Sequence, residues 1–184
     1  MTPPLAGRRV LLLGAETDVG RACAEALADA GATLALVSAT GDAEAAFAVK
    51  RLASRLDAAT SQAIDATNEA AVRVMVRQVS KALGGLNAVV VDLTAADESF
   101  SVRRGPMWES VRRHGGRELD KTGSGVIVPI MKGWPGEPIP QYAVGDVAGT
   151  EFDINWRLAS VGTCDWSPQK IAAEVVRAVA GEAP

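Results

Sequence analysis

The sequence predicts a single α/β domain of three layers, with helices on both faces of a doubly wound parallel sheet. Two observations carry this. Short runs rich in Val, Leu and Ile alternate with longer segments of helical period, in the order β-α-β-α-β-α-β before residue 95, which is the pattern of parallel strands joined by crossover helices. The length of 184 residues is enough for one sizeable core and short for two, so residues 1–184 are read as one domain.

The elements follow in order. Arg9 to Leu13 is a buried strand, and Val19 to Ala30 a helix whose small and apolar residues Val19, Cys23, Ala26, Leu27 and Ala30 share a face, closed by Gly31. Thr33 to Val37 is the second strand. Asp42 to Leu56 is a helix with Phe47, Leu52 and Leu56 on its buried side, and Ser61 to Ile64 a short third strand. Thr67 caps the next helix, Asn68 to Leu83, whose Val72, Met75, Val76 and Val79 form one apolar face. Leu86 to Val91 is a fourth strand, apolar throughout its centre as a strand covered on both faces should be. Beyond residue 94 the rhythm weakens. A helix is expected around Met107 to Lys121, interrupted at Gly115-Gly116. Val126 to Ile130 and Ile154 to Leu158 are the fifth and sixth strands, and Ser167-Pro168 opens a last helix, Gln169 to Ala180, closed by Gly181.

At the first strand-helix junction the chain reads Leu13-Gly14-Ala15-Glu16-Thr17-Asp18-Val19-Gly20. A dinucleotide-binding turn places its first glycine for a tight turn, its second for close approach of a pyrophosphate, and its third for helix-strand packing. Gly14 and Gly20 suit the first and third roles. Asp18 stands at the second, with a side chain and a negative charge, and is read as a helix N-cap in preference to a cofactor contact. The motif, with Asp65 in Ile64-Asp65-Ala66-Thr67 and Tyr142 further on, resembles the short-chain dehydrogenase/reductase family over nearly the whole chain. The resemblance implies a Rossmann-like fold in which Gly14, Asp18, Val19 and Gly20 would face the pyrophosphate. It implies an adenine contact for Asp65, for which a loop or capping carboxylate is the equal alternative. Val161-Gly162-Thr163 resembles the family's turn after the sixth strand.

The same comparison exposes what this chain lacks. Asp92-Leu93-Thr94-Ala95 stands where the family has Asn-Asn-Ala-Gly. The family's catalytic tyrosine is matched by Tyr142, but Asp146 occupies the position of the lysine that should lower its pKa, and a carboxylate there acts in the opposite direction. No hydroxyl residue follows the fifth strand in Val128-Pro129-Ile130-Met131-Lys132, and Lys132 is a poor substitute for the missing cation. The end of the second strand, Val37-Ser38-Ala39-Thr40, carries neither the acid that suits NAD nor the arginine that suits NADP. Only 11 residues separate Tyr142 from Ile154, too few for a full crossover helix. The family's usual four-helix dimer interface is therefore expected to be lost, and residues 95–155 form a degenerate substrate side.

Other features are secondary. A net charge of -3 gives no general attraction to nucleic acid or anionic lipid, and the apolar runs are too short to span a bilayer; with no signal-like start, a cytoplasmic location is expected. Cys23 and Cys164 have no metal-ligand spacing and are read as buried small residues. Arg103, Arg104, Arg112, Arg113 and Arg117, with the sole histidine His114, make either a patch for an acidic partner or a phosphate or, preferentially, a solvated face balanced by Glu109, Glu118 and Asp120. His114 is expected to face solvent. Trp134, in a Pro/Gly loop, is equally a contact for a protein partner or a lid on the core. The expectation is a catalytically degenerate family member acting as a binding, accessory or scaffold subunit, with dinucleotide binding weak or lost. The alternative is an NAD(P)-dependent oxidoreductase using Tyr142.

Overall fold

A computed structural model describes residues 2–94, 98–131, 156–158, 161–162 and 166–181. Within them, seven strands, β1 (Arg9–Leu13), β2 (Thr33–Ser38), β3 (Ala59–Ala63), β4 (Ala88–Asp92), β5 (Gly125–Met131), β6 (Trp156–Leu158) and β7 (Val161–Gly162), form one sheet. Every pairing is parallel, in the order β3-β2-β1-β4-β5-β6, with β6 beside the start of β5 and β7 beside its end. Five helices accompany them: α1 (Asp18–Asp29), α2 (Ala43–Ala53), α3 (Glu69–Leu83), α4 (Glu98–Thr122) and α5 (Pro168–Ala180).

The period-two alternation of the strands divides the interior. Val10 and Leu12 pack with Leu34, Leu36, Val90 and Val128 against α1, α2 and α5. Leu11 and Leu13 point the other way, with Val37, Val89, Val91 and Ile127, against α3 and α4. All five residues of β4 are buried, so the centre of the sheet is covered on both faces. Chain reversal between β3 and β4 places β2 and β4 on opposite sides of β1, and this switch point is where open parallel sheets gather ligands beyond their carboxyl ends.

Several expectations need correction. Asn68, not Thr67, caps α3, its Oδ1 accepting the amides of Ala70 at 2.9 Å and Ala71 at 3.2 Å. β3 begins two residues earlier than its hydrophobicity suggests, because parallel pairing with β2 starts at Leu34 and Ala59, and backbone register outweighs side-chain pattern on an edge strand. Phe47 is 59% exposed and lies under the Arg51 guanidinium, 5.0 Å from ring centroid to Cζ, a cation–π stack on the outer side of α2 in place of the expected burial. α4 is continuous from Glu98 through Gly115-Gly116. Both glycines are buried, and a Cβ on Gly115 would stand 3.3 Å from Val89 Cγ2, so close packing on β4 overrides poor helix propensity. Val161-Gly162 is a short strand on β5 rather than a turn. Trp134 lies outside the described residues, as does Cys164.

Candidate functional site

The carboxyl ends of β1, β2 and β4 meet at the glycine turn. Gly14 takes a φ of +94°, and its amide and that of Ala15 donate to the Val37 carbonyl at 2.9 and 3.2 Å, tying the turn to β2. Both glycine roles read from the motif are met. A Cβ on Gly14 would lie 2.9 Å from Asp92 Cβ, and one on Gly20 would run into the Gly14 carbonyl and stand 2.9 Å from Ala15 Cα.

Asp18 is not the helix cap. Thr17 caps α1, its hydroxyl oxygen accepting the Gly20 amide at 2.8 Å. Asp18 is the first helical residue, its side chain 85% exposed and 3.4 Å from the Arg21 guanidinium. Thr and Asp are comparable caps, and Thr17 prevails because its hydroxyl also donates to the Asp92 carboxylate of β4, a tertiary contact that local sequence does not reveal. The cap leaves the Asp18 and Val19 amides as the first-turn donors without an intrahelical acceptor.

Two carboxylates frame this turn. Asp92 is 1% exposed; besides Thr17 it accepts the Thr94 amide at 2.8 Å and the Thr94 hydroxyl at 2.6 Å. The Asp92-Leu93-Thr94 segment thus closes on its own aspartate. Glu16 reaches across to β2, where its two oxygens accept the Ala39 amide at 3.0 and 3.2 Å. Burial raises the Glu16 pKa above the ordinary carboxylate value; the backbone amides it accepts from and the Ser38 hydroxyl oppose this, while the Asp92 charge adds to it. Arg21, Arg51 and Arg55 line a cavity of about 340 Å³ that adjoins Glu16. Cys23, buried beneath the turn, has its thiol pushed up to about 12 by burial and by the Asp92 charge, which leaves it without thiolate character at neutral pH.

Of the residues singled out in sequence, Gly14, Asp18, Val19 and Gly20 come together at the switch point. Asp65 closes a loop at the end of β3, its Oδ1 accepting the Thr67 amide at 3.0 Å and hydroxyl at 2.6 Å. Tyr142, Lys132 and Asp146 lie outside the described residues. His114 does not face solvent: it is 7% exposed, its Nε2 3.1 Å from the Glu69 carboxylate. Arg113 joins the same carboxylate at 2.9 Å, and Arg112 pairs with Glu109 at 2.9 Å. Glu16, Thr17 and Glu69 escape a reading by motif because their partners are 23, 75 and 45 residues distant.

A glycine turn at the switch point of a parallel sheet with order 3-2-1-4-5-6 defines a dinucleotide-type α/β protein. The family model described as enoyl-(acyl carrier protein) reductase matches residues 14–112, more than half of the chain, and the chain belongs to the short-chain dehydrogenase/reductase family. A metagenomic short-chain oxidoreductase solved in complex with NADP is 19% identical, with 96% of this chain and 92% of that chain covered and a TM-score of 0.75. A hydroxysteroid dehydrogenase from Escherichia coli is also 19% identical, covering 95% and 89%, with a TM-score of 0.68. The protein gox2181 is 25% identical over 70% of this chain, with a TM-score of 0.59, and the match spans only 55% of its length. No curated protein matches the chain in sequence. Among the described residues, no helix is long and apolar enough to cross a membrane.

The turn's backbone fits a bound pyrophosphate better than its charge does. Gly14 keeps the tight turn and Gly20 the helix-strand packing, and the Asp18 and Val19 amides open the helix, but Asp18 puts a side chain at the close-approach position and Glu16 and Asp92 add two more carboxylates beside the turn.

Proposed function

We propose that this chain is a short-chain dehydrogenase/reductase relative that does not carry out the family's oxidoreduction and serves as a binding or accessory subunit, with dinucleotide affinity weak or lost. The observation that carries this is the Glu16 carboxylate at the end of β2, bonded to Ala39, with Asp92 closed on Thr17 and Thr94. Protein groups satisfy one another where a cofactor's adenosine would need partners, and carboxylates stand beside the turn that would meet its phosphates. The residues offered for chemistry point the same way: Asp146 follows Tyr142 by four, and no hydroxyl stands at the end of β5. Loss of the four-helix dimer contact belongs to the same proposal and is checked by sedimentation of the full chain.

Fluorescence titration of the full chain with NADH and NADPH tests it. Dissociation constants of about 1 mM or weaker are expected. Micromolar binding together with turnover of a carbonyl or an alcohol overturns it.

One observation favours a second reading, an NAD-dependent oxidoreductase using Tyr142. An acidic group at the end of β2 suits the free 2′-hydroxyl of an adenosine ribose, and Glu16 supplies from the glycine turn the carboxylate that Val37-Ser38-Ala39-Thr40 lacks. That reading requires NADH to bind at least about tenfold more tightly than NADPH.

A further inference from the structure

On the face of the domain formed by α3 and α4 lies an open groove of about 460 Å³, lined by Arg73, Val74, Arg77, Lys81, Glu118 and Lys121 among others. It shares no residue with the glycine turn or with the arginines of residues 103–117. Arg73, Arg77 and Lys81 follow one another at four-residue steps along α3, so their Cα atoms climb about 6 Å per step on one side of the helix. All three are exposed. Like charges at this spacing destabilise a helix by a few tenths of a kcal/mol per pair unless an acid relieves them.

Here none does. Glu69, one turn before Arg73, is the acid at the right spacing, but it is held by Arg113 at 2.9 Å and His114 at 3.1 Å of α4. Positions 74, 78, 80 and 85 are Val, Gln, Ser and Gly. Glu118, the groove's carboxylate, is buried and paired with Lys121. Among the described residues, no ion pair engages Arg73, Arg77 or Lys81. A chain of net charge -3 therefore gathers an unneutralised cationic row on one helix. Val74, 47% exposed, stands next to it as one of two large apolar residues so exposed among those described.

We infer that the α3–α4 groove docks an acidic amphipathic helix of a partner protein. Carboxylates at one-turn intervals on such a helix match the 6 Å steps of Arg73, Arg77 and Lys81, and an apolar residue beside them meets Val74. A nucleic-acid strand fits less well: among the described residues, no aromatic side chain lines the groove to stack on a base, and a phosphate backbone makes no use of exposed Val74. The inference names a surface for the accessory role but does not depend on whether a dinucleotide binds at the glycine turn.

The test uses the full chain and three labelled probes of equal charge: a helix-stapled peptide with glutamates at one-turn intervals and an adjacent leucine, the same residues shuffled, and a single-stranded oligonucleotide. The ordered peptide is expected to bind at least about fivefold more tightly than either of the others, and Arg73→Glu/Arg77→Glu to weaken it about tenfold. Absence of binding, equal binding of the three probes, preference for the oligonucleotide, or indifference to charge reversal overturns the inference. If circular dichroism shows that the reversed variant does not fold, Arg73→Gln/Arg77→Gln is measured in its place, with a loss of at least about threefold expected and no loss counting against the groove. NADH and NADPH titrations of the same variants should match the unaltered chain, which separates failure of the groove from failure of the functional proposal.

Discussion

The Glu16 carboxylate and the Ala39 amide meet at 3.0 Å although the residues are 23 apart in sequence. The bond closes the gap between the glycine turn and the end of β2 and fills it with negative charge. Arg21, Arg51 and Arg55 line the adjoining cavity, so removal of the carboxylate leaves those guanidinium groups without it. Glu16→Ala is therefore expected to increase dinucleotide affinity, and to do so more for NADPH, whose extra phosphate suits arginines. A gain of at least about fivefold for NADPH by fluorescence titration is the expected result. Asp18→Gly, the change that the family motif suggests, should give a smaller gain, because Asp18 points into solvent beside Arg21.

Glu16 also couples folding to pH. Its pKa is raised in the folded state, by burial first and by the Asp92 charge in addition. A carboxyl whose pKa rises on folding contributes stability below its unfolded value of 4.5, and that contribution is lost as pH climbs through the folded value. Glu16→Gln keeps an acceptor for Ala39 without the charge. Its melting temperature should exceed that of the unaltered chain at neutral pH, and the difference should shrink as pH falls through the carboxylate range. A constant difference across that range would show that the charge is not responsible.

The α1 cap separates two adjacent residues. Thr17→Ala removes the acceptor for Gly20 and a donor to buried Asp92, and should cost about 1–2 kcal/mol in urea unfolding. Thr17→Ser should retain most of that. Asp18→Ala, exposed and, among the described residues, joined to Arg21 by a surface ion pair, should stay within about 0.5 kcal/mol.

Much of the fold is written locally. β1, β4 and α5 can be read from apolar runs, from Ser167-Pro168 and from Gly181, because those signals act within a few residues. The Gly14 and Gly20 roles are legible for the same reason, since turn and packing demand glycine whatever lies elsewhere. α4 is misread at Gly115-Gly116 because the cost of helical glycine is local while its reward, contact with Val89, comes from β4. The site is less legible still. Thr17 and Asp18 are equivalent caps until Asp92 is brought beside one of them, and Glu16 has no motif at all until β2 lies next to β1. His114 is isolated in sequence because its acid, Glu69, belongs to another helix.

Close packing at the glycine turn gives a sharp contrast between glycines. A Cβ on Gly20 collides with the Gly14 carbonyl and lies 2.9 Å from Ala15 Cα, backbone atoms that cannot yield without moving α1 away from β1. Gly20→Ala should destabilise the chain by about 3 kcal/mol or more. Gly41 has nothing within 4 Å of a built Cβ and no positive φ; Gly41→Ala should be neutral or stabilise by up to about 1 kcal/mol by restricting the unfolded chain. Equal effects in denaturant unfolding would remove the packing role assigned to Gly20.

The Glu69 clamp behaves in the opposite sense to Glu16. Its carboxylate at the start of α3 binds His114 and Arg113 of α4, and its pKa is lowered, chiefly by the His114 hydrogen bond and then by the Arg113 charge. A carboxyl whose pKa falls on folding adds stability above its unfolded value of 4.5 and loses it as pH drops through the folded value. Glu69→Gln should therefore lower the melting temperature at neutral pH and converge with the unaltered chain under acid conditions. It also changes the groove next to it, since His114 and Arg113 lose their anion while Arg73 gains no relief from a neutral amide. Amide exchange should then quicken in the first turn of α3 and in the facing turn of α4 around His114, with the α1–β1 region unchanged. Uniform quickening across the domain would mean that Glu69 contributes only to global stability and does not clamp the two helices.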